Sequence, residues 1–261
     1  MKQMKRISGL LALAILLLTP GLAAAAGQLG VYVAPKFVYG SLKGHDMKNN
    51  YWDYDSGSLA SHSVSNYAMK GDDIYGGALA VGYDFQKRLG VPVRLELEYA
   101  LFSDAKTKRG NAWHDLTGSG ESSETKYELT LGIQSLFANV YYDFRNSSAF
   151  TPYLGFGLGL AFVSAKGKYT DEMGGYYYYS EHLKKDTSTN FAWNVGAGLA
   201  YAFTDYISLD LAYRFLSLGK GETKRNIVRD WRPIDDEYEV RKYKTDDLYI
   251  HQLALGLRVT F

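Results

Sequence analysis

The chain has 261 residues, 27 glycines, 23 tyrosines and no cysteine, and its 29 basic and 28 acidic side chains leave a net charge of +1. This balance lacks the basic excess of a dedicated nucleic-acid binder, and the missing cysteines exclude disulfides, thiol catalysis and cysteine-ligated zinc. A hydrophobic content of 46% is too high for a disordered chain.

The N-terminus, residues 1–26, has the layout of a secretory signal peptide. Basic residues come first, an apolar stretch follows from Leu10 to Leu18, and small residues at Ala23 to Ala26 offer cleavage sites near residues 24–27. The apolar stretch is shorter than the roughly 20 residues that a membrane-spanning helix needs. We therefore expect the mature chain, 27–261, to be exported and to form a single domain.

After the signal peptide, apolar residues alternate with polar or small ones, as in half-buried strands. The clearest segment places Leu95 and Leu97 on one face and Glu96 and Glu98 on the other, because successive strand side chains point to opposite sides. The pattern predicts eight strands, at 29–42, 73–86, 91–102, 125–144, 150–164, 189–203, 206–216 and 248–261.

The fourth predicted strand changes phase along its length. Leu129 and Leu131 occupy odd positions, whereas Ala138 and Val140 occupy even ones. One extra residue near Gln134 or Ser135 would restore the facing, so we expect a β-bulge there. The alternative is that the strand starts later.

The connections between the strands alternate in length. A transmembrane barrel sorts its connections in this way, with short turns on the periplasmic side and long loops outside, whereas a soluble sandwich has little reason to do so. We therefore predict an all-β fold, an eight-stranded antiparallel up-and-down transmembrane β-barrel with both termini periplasmic. The short turns lie at 86–90, 145–149 and 204–205, and the four long extracellular loops lie at 43–72, 103–124, 165–188 and 217–247.

Ionised side chains share one face of the predicted strands, while the other face is almost uniformly apolar. In a membrane barrel the apolar face meets lipid, so the charges point into the lumen. Eight strands leave an interior that side chains just fill, which favours a plugged, salt-bridged lumen over an open pore. The predicted lumen charge network comprises Lys36, Arg94, Glu96, Glu98, Glu128, Asp210, Arg214 and Arg258.

Aromatic pairs recur at the ends of the second, fourth and sixth predicted strands. Aromatic rings suit the membrane interface, with the apolar body toward lipid and the polar edge toward headgroups. The alternative is ordinary strand composition. The predicted periplasmic aromatic girdle comprises Tyr83, Phe85, Tyr142, Phe144, Tyr201 and Phe203.

Two segments, Leu136 to Phe144 and Thr151 to Leu160, resemble the small outer-membrane β-barrel family, which includes the opacity proteins and is similar to the transmembrane domain of OmpA. The terminal residues Leu257, Val259 and Phe261 resemble the insertion signal read by the outer-membrane assembly machinery. The resemblance implies a Gram-negative outer-membrane location, contact with outer-membrane lipid and lipopolysaccharide, and insertion by that machinery. It transfers no ligand.

The sequence predicts no catalytic, cofactor-binding or metal site. Four of the five histidines fall in predicted loops without metal-ligand spacing, and the fifth, His251, lies near the outer end of the last strand. Gly155, Gly157 and Gly159 lack the spacing of a nucleotide loop. A barrel enzyme for lipid A modification or proteolysis, or a narrow channel, remains an alternative function.

Aromatic residues in the predicted loops favour surface recognition, because tyrosine supplies contact area at low entropic cost. The alternative is that these rings pack the loops into hairpins. We expect a monomeric, non-enzymatic outer-membrane protein without a nucleic-acid partner, whose loops mediate adhesion or recognition of an external surface ligand. The loop residues concerned are Tyr51, Trp52, Tyr54, Tyr176, Tyr177, Tyr178 and Tyr179.

Overall fold

A computed structural model describes the backbone of residues 30–55, 58–114, 122–173, 177–223, 226–228 and 239–261. It describes the side chains of residues 30–44, 72–86, 88–106, 128–168, 182, 185–223, 245 and 247–261. The predicted signal peptide and its cleavage site lie outside the described residues and stay predictions.

Strands make up nearly all of the described chain. Its one described helix, α1 (Gln86–Leu89), has four residues, and within the described ranges no helix is long and apolar enough to cross a membrane. The strands are β1 (Val31–Asp55), β2 (Ser58–Asp84), β3 (Val93–Phe102), β4 (Ala105–His114), β5 (Ser122–Asp143), β6 (Phe150–Met173), β7 (Tyr177–Ala202), β8 (Ile207–Glu222), β9 (Asn226–Val228) and β10 (Glu239–Thr260).

The strands close into an antiparallel barrel, as predicted. Each barrel strand pairs with its sequence neighbour, and β1 pairs with β10 from Tyr32 opposite Thr260 upward. Strands β3 and β4 both pair with β5, one above the other, so together they form a single barrel strand. Strand β9 pairs with β10 in the described residues. The barrel therefore has eight strands, and closure leaves no unpaired edge within the membrane.

The two ends of the barrel differ in how the strands are joined. At the turn end, β2 and β3 are joined through α1, whose last turn closes at Gly90 with φ +69°. At the hairpin end, the strands run well past their predicted limits: β1 continues to Asp55, and β6 continues to Met173, which pairs with Tyr177. Most described residues of the long predicted loops therefore belong to β-hairpins. The sequence did not predict these strands, because their residues do not alternate between apolar and polar.

The phase change in β5 has a different origin from the predicted one. Pairing with β6 is continuous from Ser123 opposite Met173 to Asp143 opposite Tyr153, without a register shift. The predicted bulge at Gln134 or Ser135 is therefore wrong. From Leu129 to Asp143 the odd-numbered β5 residues face inward, and the apolar ones toward the hairpin end show that the interior itself becomes apolar there.

The outward face is apolar over the height of the membrane. Leu97 is 56% exposed and Leu211 is 54% exposed, although both are paired with a strand on either side in the barrel wall. The ionised side chains of the same strands are buried inside. Such an arrangement is stable in lipid and unfavourable in water, which places this wall in a bilayer.

Toward the hairpin end the barrel separates into two sheets. Pairing of β2 with β3 ends at Gly76 opposite Phe102, and pairing of β7 with β8 ends at Trp193 opposite Ser217. Beyond these points β4, β5, β6 and β7 form one sheet, and β2, β1, β10 and β8 form the other. We call these the β4–β7 sheet and the β2–β8 sheet.

Candidate functional site

The turn half of the lumen is filled by ionised side chains, which we call the charged layer. At its centre Lys36 Nζ lies 2.5 Å from Glu96 Oε1 and 2.6 Å from Glu98 Oε2. The guanidinium of Arg214 reaches the other oxygen of Glu98 at 2.7 Å and donates from Nε to Gln252 at 2.8 Å. Glu98 on β3 therefore bridges two cations that come from different strands, Lys36 on β1 and Arg214 on β8.

A second group of charges lies closer to the turn end. Arg94 approaches Asp143 with Nη2 2.9 Å from Oδ1, and Nε donates to the same carboxylate. Arg145, in the turn after β5, contacts both Asp143 at 2.9 Å and Asp84 at 2.8 Å. Asp143 and Arg145 were missing from the predicted network, although the inward phase of β5 places Asp143 on the lumen side.

The last ion pair joins neighbouring strands β8 and β10. Arg258 Nε lies 3.1 Å from Asp210 Oδ2, and both side chains are about nine-tenths buried. A carboxylate thus accompanies each buried cation of the charged layer. This matters because a buried charge without a partner is strongly destabilising.

One predicted member of the network lies elsewhere. Glu128 is half-buried, and its neighbours Leu129 and Leu131 face the interior at 3% and 1% exposure. Strand alternation therefore turns Glu128 toward the outer face, opposite Lys108 and Lys168 in the register. The prediction that Glu128 faces the lumen is wrong, because it relied on the phase change in β5.

Tyrosine rings and glycines share the remaining space of the charged layer. Tyr141 lies opposite Gly155 in the register, and a Cβ at Gly155 would collide with the Tyr141 ring. Tyr153 and Gly198 repeat the arrangement. The Tyr141 hydroxyl donates to Glu96 at 3.0 Å. Each glycine thus makes room for a ring that packs against the charges.

The hairpin half of the lumen is filled by hydrocarbon, which we call the apolar layer. All of its members are at most 3% exposed, and they come from every barrel strand except β7. A small cavity lies lower down, between Lys36, Arg94 and Tyr153. The apolar layer comprises Leu42, Ile74, Phe102, Leu129, Leu131, Ile133, Val163, Leu216, Leu218, Leu248 and Ile250.

The predicted girdle residues form aromatic pairs at the turn end. Tyr83 and Phe85 have ring centroids 4.8 Å apart in an edge-to-face arrangement. Tyr142 with Phe144 at 5.1 Å, and Tyr201 with Phe203 at 4.9 Å, repeat this geometry. Three equivalent pairs at one level support an interfacial girdle.

His251 faces outward near the hairpin end, among other aromatic side chains. Its Nδ1 lies 2.6 Å from the Tyr213 hydroxyl, and its ring packs edge-on against Phe215 at 5.5 Å. Ser41 lies opposite it in the register. Among the side chains that the structure describes, no group of three His, Asp or Glu could hold a metal ion.

The aromatic residues of the predicted loops lie on hairpin backbone. Trp52 pairs with Ser61 in the β1–β2 hairpin, with Tyr51 and Tyr54 on the same strand. Tyr177 to Tyr179 begin β7 and pair with the end of β6. Tyr176 lies outside the described residues. A recognition role for these residues stays a prediction.

Comparison with known proteins gives relatives that include one named as an outer membrane protein and others named as adhesins. The chain is 35% identical to the outer membrane protein PagN of Salmonella typhimurium over 153 residues, which are 59% of this chain and 61% of PagN. It is 26% identical to a Rickettsia bellii protein named "Putative adhesin", over 74% of this chain and 75% of that protein.

Among solved structures, Neisserial surface protein A is 19% identical, and the match covers 89% of this chain and 97% of that protein with a TM-score of 0.41. The model of the outer membrane protein beta-barrel domain matches residues 10–261, which is most of the sequence. The chain therefore belongs to the outer membrane protein β-barrel family and is a protein of the cell outer membrane.

Proposed function

We propose that this protein is a non-enzymatic, monomeric barrel that anchors a rigid recognition surface in the outer membrane, with the hairpin end outside the cell and both termini in the periplasm. The observation that carries the proposal is the contrast between a filled lumen and extended hairpins. A lumen filled by ion pairs and hydrocarbon favours anchoring over transport, while the hairpins continue the strands far beyond the apolar wall.

Adhesion is the recognition function that the relatives favour. PagN is named an outer membrane protein, and the Rickettsia bellii relative is named as an adhesin. Because the match spans 61% of PagN, adhesion by this chain is a proposal. Its external partner would be a host or neighbouring-cell surface, with lipid and lipopolysaccharide surrounding the apolar wall.

Adhesion can be tested with the full chain expressed in a non-adherent Gram-negative host. We expect more bacteria to bind an animal-cell monolayer than with an empty vector. The matched variant shortens the β1–β2 hairpin by joining Lys43 to Gly71 through a two-residue turn, since Leu42 and Asp72 are register partners. It should keep the heat-modifiable barrel and lose binding. Equal binding by vector, full chain and variant would refute adhesion.

The two alternative functions predict different measurements. A barrel enzyme should change the lipid A profile or cleave peptides in a way that His251→Ala abolishes. A narrow channel should give stable conductance in planar bilayers. We expect an unchanged lipid profile, no peptide cleavage and no large ohmic conductance, because the apolar layer opposes the entry of hydrated ions.

Insertion by the assembly machinery is proposed for the C-terminal residues Leu257, Val259 and Phe261. In the finished barrel the backbone N–H of Phe261 donates to Val31 at 2.7 Å, and its carbonyl accepts from Gly30 at 2.9 Å. Deleting Phe261 should reduce the amount of heat-modifiable barrel in outer-membrane fractions. Normal amounts of barrel after the deletion would count against this role.

A further inference from the structure

The two sheets above the membrane leave strand edges without a neighbouring strand. In the described residues, the upper part of β2 pairs with β1 alone, and β4 pairs with β5 alone. A gap in the hydrogen-bonded wall therefore lies between β2 and β4. A corresponding gap lies between β7 and β8.

Side chains close both gaps at their base. The backbone N–H of Lys106 donates to Asp72 Oδ2 at 2.6 Å, and Ser103 Oγ accepts from the N–H of Tyr75 at 3.2 Å. On the other side, Asn190 Nδ2 donates to the carbonyls of Leu218 at 2.9 Å and Lys220 at 2.7 Å. Each gap thus begins where a side chain replaces the backbone ladder.

The β2, β4 and β7 edges that border these gaps differ in charge. Soluble proteins commonly protect exposed edges with charged residues or proline. Strand β4 carries Lys106, Lys108 and Arg109 without an acidic residue, and β7 carries charges of both signs. The β2 edge from Ser58 to Met69 has twelve residues without Asp, Glu, Lys, Arg or Pro. It is therefore an edge left open to pairing.

We propose that an extended acidic segment of an external protein adds as a strand to the β2 edge, between β2 and the basic strand β4. Backbone hydrogen bonds to β2 would supply the affinity, as in other cases of strand addition. The positive charge of β4 would select an acidic segment over a basic one. This inference deepens the proposed recognition function, and it rests on that function only for the external location of the edge.

Charge complementarity also decides between this partner and a second copy of the chain. Two copies meeting through their β4 edges would bring six cations together, and a β2 edge from a second copy would bring no acidic residue between Ser58 and Met69. In neither arrangement would an acidic residue of the second copy face the basic residues of β4. An acidic strand would form backbone hydrogen bonds with β2 and would also be attracted by the basic residues of β4.

Fluorescent peptides test the proposal with the purified full chain in lipid nanodiscs. The first peptide has three repeats of Thr-Glu-Val-Glu, the second has lysine in place of glutamate, and the third has proline in place of threonine. Fluorescence anisotropy should show saturable binding of the first peptide. The second and third should bind at least about tenfold more weakly, because one lacks the charge and the other cannot form a strand. Hydrogen exchange should slow between Ser58 and Met69 when the first peptide is bound.

A charge-reversal variant and a matched control complete the test. The triple variant Lys106→Glu, Lys108→Glu and Arg109→Glu should bind the acidic peptide at least about tenfold more weakly. It should bind the lysine peptide more tightly than the unchanged chain does. Lys184→Glu with Lys185→Glu, on the other edge of the β4–β7 sheet, should leave binding unchanged.

Three outcomes would overturn the inference. Equal binding of the proline peptide would mean that charge alone attracts the ligand, without strand pairing. Absence of saturable binding of the first peptide would show that the proposed site does not bind an acidic strand. Concentration-dependent dimers that protect Ser58–Met69 without peptide would make a second copy the occupant. Failure of cell adherence with intact peptide binding would refute the adhesion proposal and leave this site standing.

Discussion

The two halves of the lumen are filled by different chemistry within one continuous barrel. Near the short turns, Lys36, Glu98 and Arg214 form a chain of ion pairs between 2.6 and 2.7 Å. Near the hairpins, residues such as Ile133 and Phe102 are fully buried against hydrocarbon. The two layers act differently, because paired charges fix specific strands to one another and an apolar layer excludes water.

The change coincides with the separation of the strands into two sheets. Inside the membrane the wall is a closed barrel, and its interior must hold side chains from facing strands at close range. Toward the hairpin end the two sheets pack across the interior, so that Gly221 of β8 lies beside Val163 of β6 and Leu131 of β5. An apolar interior between two sheets is the arrangement of a β-sandwich. Where the structure describes their side chains, the two sheets therefore pack against each other as in a β-sandwich.

The largest effect should come from breaking the central ion pairs. Glu98→Gln leaves Lys36 and Arg214 without one of their carboxylate partners, and loss of one partner of a buried pair destabilises by about 3–5 kcal/mol. Urea unfolding from lipid vesicles measures the free energy. Asp186→Asn, in the β6–β7 hairpin, serves as the control and should change it by less than about 0.5 kcal/mol. A small effect of Glu98→Gln would mean that water reaches the charged layer.

The apolar layer can be tested by truncating one of its members. Ile133→Ala removes three carbons from a fully buried site and should destabilise by about 2–5 kcal/mol in the same unfolding measurement. Ile207→Ala makes the same change at a residue that is 38% exposed, and it should cost clearly less. Equal effects of the two substitutions would contradict a packed layer.

The outer wall offers a third test, which concerns orientation toward lipid. Leu97 lies opposite Val81 and Ala138, in the middle of the β2–β3–β5 wall. Leu97→Arg should cost about 2–4 kcal/mol if the residue lies near the middle of the bilayer. Leu89→Arg, in α1 at the turn end, should be nearly neutral. Neutrality at Leu97 would show that this position lies outside the hydrocarbon region.

The smallest expected effect concerns the girdle that borders the charged layer. Tyr201 contacts Phe203 at 4.9 Å and Phe150 at 4.8 Å, so Tyr201→Ala should cost about 1–2 kcal/mol. Tyr206→Ala removes an exposed tyrosine nearby and provides the control. If both substitutions lower the free energy of unfolding equally, the ring contacts of Tyr201 add no stability beyond that of an exposed tyrosine at the interface.

Sequence patterns predicted the barrel because alternation in a membrane wall is strict. Leu95 faces lipid and its neighbour Glu96 faces the lumen. Each position of a strand meets one of these two environments, so apolar and polar residues alternate regularly. Within the lumen, seven of eight predicted charged residues lie in the charged layer. Glu128 was misplaced because its strand was assigned to the wrong face above Ser135, where the inward residues are apolar and the outward ones are mostly polar.

Contacts between distant residues could not be read from the sequence. Nothing local indicates that Glu98 bridges Lys36 and Arg214, since all three lie on different strands. The hairpin strands were also missed, because their sequences keep no simple alternation of apolar and polar residues. The role of Asn190 depends on where β7 and β8 part.

The sequence by itself determined that this chain is an eight-stranded barrel with a lipid-facing apolar wall, because a bilayer imposes one period on every strand. Tertiary structure decided which charges pair, where the interior turns apolar, and where the wall opens into two sheets. Those features depend on strand register and on distances across the lumen. Such distances are set only when the barrel closes and strands far apart in sequence become neighbours.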